Sequence, residues 1–120
     1  MKRILIVEDD DLNLDLLIQL LEEDYELITA RDGSAGVSAA ERNHPDLILM
    51  DMALPVMDGW EATRRIKANG DLRGIPIIGL SSYAMAGDPE KAMDAGCDDY
   101  MTKPLDEDLL LEKLKRYLKD

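Results

Sequence analysis

The hydrophobic period of this chain changes back and forth along its length, and that alternation limits its fold more than any other feature. Short apolar runs stand at Ile4-Leu5-Ile6-Val7, Leu27-Ile28, Leu47-Ile48-Leu49-Met50 and Ile77-Ile78-Gly79-Leu80, with a weaker fifth at Tyr100-Met101-Thr102. Continuous runs of branched aliphatics, without polar alternation, suit strands covered on both faces. Between the runs, apolar residues recur at helical spacing. Leu12, Leu16, Leu17, Leu20 and Leu21 predict the buried face of a first helix, with Asp11 as its N-cap. Ala35, Val37, Ala39 and Ala40 predict a second helix, and Trp60, Ala62, Thr63, Ile66 and Lys67, after Gly59, a third. A fourth runs from Asp88 to Ala95. The fifth is capped at Asp106 and carries Leu109, Leu110, Leu114 and Leu118. Acids open it (Glu107, Asp108) and cations close it (Lys115, Arg116, Lys119), matching the helix dipole.

Five βα units joined by right-handed crossovers give a doubly wound α/β fold, a parallel sheet with helices on both faces. The 120 residues fit one domain, 1–120, which can bury an adequate core without a disulfide or structural metal. The single cysteine, Cys97, rules out an internal disulfide and reads as a small buried residue. His44, the only histidine, precedes Pro45 in a helix-to-strand turn and reads as structural. A net charge of −12 disfavours binding to a nucleic-acid backbone and favours basic partners and divalent cations. No apolar stretch approaches bilayer length, and the apolar N-terminal run is too short for a signal peptide, so a cytoplasmic location is expected.

In folds of this class the working crevice lies beyond the C-terminal ends of the strands. Polar residues follow the apolar runs at just those points: Glu8-Asp9-Asp10-Asp11 after the first, Asp51 after the third, Ser81-Ser82 after the fourth and Lys103-Pro104 after the fifth. Asp10 and Asp11 are accounted for as helix-start residues. If the first and third strands are neighbours, Glu8, Asp9 and Asp51 converge. Carboxylates so close need a cation, and an all-oxygen donor set suits Mg²⁺. An acid cluster, a hydroxyl and a lysine on one rim are what phosphorylation of a carboxylate requires. Asp51 would be the nucleophile, and Mg²⁺, Lys103 and Ser81 would neutralise the equatorial oxygens.

In sequence order, the stretches Ile4–Asp9, Asp46–Asp51, Leu54-Pro55 with Met57-Asp58-Gly59, Leu80-Ser81-Ser82-Tyr83-Ala84, Asp94–Cys97 and Tyr100-Met101-Thr102-Lys103-Pro104 resemble the receiver domains of response regulators. The resemblance covers nearly the whole chain. It is closest to stand-alone DivK-type regulators and hybrid-kinase receivers. It implies a CheY-like, flavodoxin-like sheet in the order 2-1-3-4-5. It also implies that Asp51 is the phosphoacceptor and that Glu8, Asp9, Asp51 and the backbone carbonyl of Ala53 hold Mg²⁺. Ser81 stands at the switch hydroxyl, Tyr100 at the switch aromatic and Lys103 at the phosphate-pairing lysine, followed by a cis bond to Pro104. Such a domain is a signalling phosphoacceptor rather than an enzyme, although it assists its own phosphorylation and dephosphorylation. The implied partners are a histidine kinase or histidine phosphotransfer protein as donor, and a downstream protein that reads the face made by helix 4, strand 5 and helix 5.

Other chemistries fit less well. A haloacid-dehalogenase-type phosphatase needs a second acid two residues after the nucleophile, where this chain has Ala53. A flavin carrier of this fold needs a phosphate loop after the first strand, where four consecutive acids would repel the phosphate. A binding module without phosphate turnover would lack Asp9, Asp51 or Lys103, and all three are present.

Overall fold

The computed structural model describes residues 1–81 and 88–119. The motif residues 82–87 lie outside the described residues. The elements alternate as expected: β1 (Arg3–Val7), α1 (Asp11–Leu21), β2 (Glu26–Ala30), α2 (Gly33–Asn43), β3 (Leu47–Asp51), α3 (Gly59–Ala68), β4 (Ile77–Ser81), α4 (Asp88–Ala95), β5 (Asp99–Thr102) and α5 (Glu107–Tyr117). All pairings are parallel, and the sheet order is β2-β1-β3-β4-β5.

The sheet separates two cores. Leu5, Val7, Ile48, Met50 and Ile77 pack with Ala39, Ala40, Ala62 and Ile66 of α2 and α3. Ile4, Ile6, Leu47, Leu49, Ile78, Leu80 and Met101 pack with Leu14, Leu17 and Leu21 of α1 and Leu110 and Leu114 of α5. This division is the period-two geometry of a strand, and it explains why the inner strands carry apolar runs without polar alternation. Each aliphatic side chain so buried contributes about 1.5–3 kcal/mol.

Two readings of α1 are corrected. Asp10, not Asp11, is the N-cap; its Oδ1 accepts from the backbone N–H groups of Leu12 and Asn13. Asp11 is the first helical residue and pairs with Arg31. The buried stripe is Leu14, Leu17 and Leu21, whereas Leu12 and Leu16 are 69% and 53% exposed. Leucines stand on both stripes, and at about 100° per residue only one stripe can meet the sheet. Asp106 caps α5 as expected. Asp32 and Asp58 cap α2 and α3, and His44 closes α2 in the left-handed region at φ 45°.

Candidate functional site

Strand parity builds the pocket. Ile4 and Ile6 face the α1–α5 core, and the next residue of that parity is Glu8; Leu47 and Leu49 lead in the same way to Asp51, and Met101 to Lys103. Glu8 is therefore fully buried and Asp51 only 4% exposed, whereas Asp9, of the opposite parity, is exposed. The backbone N–H of Glu8 donates to the Ala30 carbonyl at 3.0 Å, which carries the β1–β2 ladder one residue further.

Glu8, Asp9 and Asp51 each present a carboxylate oxygen within 4.8 Å of the others. Lys103 Nζ lies 2.5 Å from Glu8 Oε1 and 3.2 Å from Asp51 Oδ2. Asp51 Oδ1 accepts from the Ala53 N–H at 3.0 Å, and Glu8 Oε2 accepts from the Asp10 N–H at 3.3 Å. The Lys103 N–H donates to the Ser81 carbonyl at 2.7 Å, which ties the end of β5 to the end of β4. The Lys103–Pro104 bond is cis, as the resemblance implied.

Burial, with Asp51 beside it, pushes the Glu8 carboxyl up to about 7, and Lys103 offsets only part of this. Burial alone would lower the ammonium of Lys103, but its contacts with Glu8 and Asp51 outweigh burial and hold it above its ordinary value. The pocket thus holds a partly compensated surplus of negative charge. Its donors are oxygen only and converge from two strand ends, which fits a hard divalent cation such as Mg²⁺.

Ser81 is buried at the end of β4, and Tyr100 is half-buried against the α2–α3 core. Both have the parity opposite to Glu8, Asp51 and Lys103, so the two switch candidates share the other face of the sheet. The direct Lys103–Glu8 pair was not foreseen from sequence, because only the shared parity of β1 and β5 puts them together. Two close approaches were also missed. A Cβ on Gly33 would meet the Met57 carbonyl oxygen at 1.9 Å, and one on Gly59 would meet the Asp51 carbonyl oxygen at 2.2 Å. These glycines let the β3–α3 loop press against α2 and the strand end. Cys97 is buried beside Thr63, and burial pushes its thiol up to about 11, which suits the inert role expected of it.

The chain is similar to known proteins over nearly its full length. The model of the response regulator receiver domain family matches residues 4–115. The chain belongs to the response regulator receiver domain family. It is 42% identical over 120 residues to the polar-differentiation response regulator DivK of Brucella ovis, covering 99% of this chain and 98% of that protein. It superposes with TM-score 0.92 and 39% identity on the receiver domain of the sensor histidine kinase PA1611 of Pseudomonas aeruginosa, which has a magnesium ion in its active-site cleft; 99% and 98% of the two chains are covered. A chain from the co-crystal of the Saccharomyces cerevisiae histidine phosphotransfer protein Ypd1 and the receiver domain of the response regulator Ssk1 matches with TM-score 0.89 and 29% identity, over 97% and 88% of the chains. The receiver fold in the order 2-1-3-4-5 and the likeness to DivK-type and kinase-borne receivers thus agree with the sequence reading. No helix among the described residues is long and apolar enough to cross a membrane.

Proposed function

We propose that residues 1–120 form one phosphorelay receiver unit and that Asp51 takes a phosphoryl group from a phosphohistidine on a histidine kinase or histidine phosphotransfer protein. The supporting observation is the placement of a nearly buried Asp51 carboxylate between the Lys103 ammonium at 3.2 Å and two further carboxylates. An Asp51 oxygen attacks phosphorus, the phosphorus–nitrogen bond to the donor imidazole breaks, and the imidazole leaves as a neutral ring after taking up a proton. A Mg²⁺ ion held by Glu8, Asp9, Asp51 and the Ala53 carbonyl supplies charge neutralisation for this step. Lys103 neutralises a phosphoryl oxygen, and the Ser81 hydroxyl reaches another once the end of β4 moves inward. Tyr100, on the same side of the sheet as Ser81, follows that movement and reshapes the α4–β5–α5 face for a downstream protein. The chain acts as a signalling phosphoacceptor in the cytoplasm, and its only chemistry is on its own phosphate.

The donor docks on α1. Exposed Leu16 lines a groove with Leu17, Leu20, Pro104 and Leu105, and Glu8 and Lys103 line it too. An apolar helical surface seated there brings its histidine to the mouth of the pocket.

Intact mass after treatment with acetyl phosphate and Mg²⁺ tests the reading. Wild type gains a single hydroxylamine-labile phosphate, and Asp51→Asn gains none. A hydroxylamine-stable phosphate, or uptake that persists in Asp51→Asn, would overturn the assignment.

A further inference from the structure

Residues 13, 16, 17 and 20 share one side of α1, at the spacing by which a helix repeats a face. Leu16, Leu17 and Leu20 line the groove against Pro104 and Leu105, and Asn13, Glu8 and Lys103 line the same groove. Three of the four helix positions are leucine, and the fourth, in the first turn, is asparagine. Leucine there would continue the apolar lining and is the better helix former, because a carboxamide competes with the backbone for hydrogen bonds. Asn13 is thus a local departure from the pattern, at the end of the groove that meets the acid pocket.

The backbone of Asn13 is held, and its side chain is not. Its N–H donates to Asp10 Oδ1 at 3.1 Å, and the Asp10 N–H donates to Glu8 Oε2 at 3.3 Å. The start of α1 is therefore tied to the buried carboxylate beside Asp51. Glu8 and Asp51 are both paired with Lys103. The half-buried carboxamide of Asn13 has no hydrogen-bond partner among the described residues. It offers a neutral acceptor and two donors next to charged groups that are already engaged.

We infer that Asn13 is a specificity residue for the donor's leaving group: its Oδ1 accepts the ring N–H of the donor histidine while the other ring nitrogen carries the phosphoryl group. The inference rests on the reading of Asp51 as phosphoacceptor. In the transfer an Asp51 oxygen forms the new bond to phosphorus, the phosphorus–nitrogen bond breaks, and its electron pair returns to the ring. The proton on the far nitrogen stays in place, so the ring departs as neutral imidazole. By accepting that N–H, Asn13 favours the protonated ring, which leaves more readily, and fixes its plane. A neutral acceptor does this without repelling the phosphoryl group, as a carboxylate would. A leucine at the same place would supply contact area and no acceptor.

The experiment follows phosphate uptake by the full chain, by intact mass with Mg²⁺ present, from three small donors. N-phosphoimidazole releases the ring, phosphoramidate releases ammonia, and acetyl phosphate releases acetate. For Asn13→Ala and Asn13→Leu, the rate with N-phosphoimidazole relative to acetyl phosphate falls roughly tenfold below the wild-type ratio, the loss of one hydrogen bond to a charged group. The ratio of phosphoramidate to acetyl phosphate stays at its wild-type value. If both variants keep the wild-type ratio for N-phosphoimidazole, or lower the two ratios alike, Asn13 is an ordinary surface residue and the inference is overturned. It is also overturned if wild type accepts phosphate from acetyl phosphate and none from N-phosphoimidazole. Uptake by wild type from none of the three would instead overturn the phosphoacceptor reading, a failure distinct from uptake with unchanged ratios.

Discussion

Replacing Lys103 by Met leaves Glu8 fully buried beside Asp51 with no ammonium at hand. Breaking a buried ion pair from one side is strongly destabilising. Glu8 can relieve part of that cost by taking up a proton, so the expected loss is roughly 3 kcal/mol, at the low end for such pairs. Urea unfolding of the metal-free protein at neutral pH checks this, and a loss below that of a typical surface change would show that the pair contributes nothing. Asp99 gives a second test. Burial alone would raise its carboxyl, but Lys113 at 2.9 and 2.8 Å, the Tyr100 N–H and the Tyr117 hydroxyl hold it below its ordinary value. With a folded value below the unfolded one, Asp99 stabilises the fold above about pH 4, and this is lost as pH falls through the folded value. Lys113→Met should move the Asp99 carboxyl titration, followed by NMR, upward; an unmoved midpoint would show that Lys113 is not its cause.

At the scale of elements, the correction on α1 becomes a measurement. Leu14→Ala empties a buried site and should cost about 2–5 kcal/mol, whereas Leu12→Ser and Leu16→Ser should stay within about 0.5 kcal/mol. A large cost at Leu12 or Leu16 would mean that the exposed stripe is packed after all. The strands were legible because fully covered strands have no polar alternation, and Ile4–Val7 or Leu47–Met50 cannot be read otherwise at that length. Helix capping was legible at Asp106, which directly precedes the acids of the first turn, Glu107 and Asp108. It was not legible in Glu8-Asp9-Asp10-Asp11, where three neighbouring aspartates satisfy the same rule and only the hydrogen bonds of Asp10 decide. The strand ends named the residues of the pocket. How those residues pair depends on two strands that are remote in sequence, and the contacts at Gly33 and Gly59 leave no local signature beyond the glycines themselves.

For the molecule as a whole, a cation that binds only the folded chain raises its stability by about 2.7 kcal/mol at a hundredfold excess over Kd. For a chain of this size that amounts to a Tm increase of roughly 10 °C, measurable with millimolar MgCl₂. Asp9→Asn should abolish most of the gain, and a wild-type melting curve indifferent to Mg²⁺ would count against the site. The division of the sheet into two cores has a further consequence, for the changes in length that the chain can absorb. Glu8 lies under α1 and Asp9 in solvent only because each stands a fixed count after Ile4. Deleting one residue within Arg3–Val7 would turn every following side chain of that strand over, putting Asp9 in the buried place of Glu8 and Glu8 in that of Val7, inside the α2–α3 core. The far end of the molecule is under no such constraint. Gly70 and Gly74, in the α3–β4 connection, have open space where a side chain would stand. Extra residues there would meet little beyond the slow growth of loop-closure entropy. Insertions beside Gly70 or Gly74 should therefore be tolerated, whereas a deletion inside a strand should be lethal to function, even where the deleted residue is itself only an aliphatic.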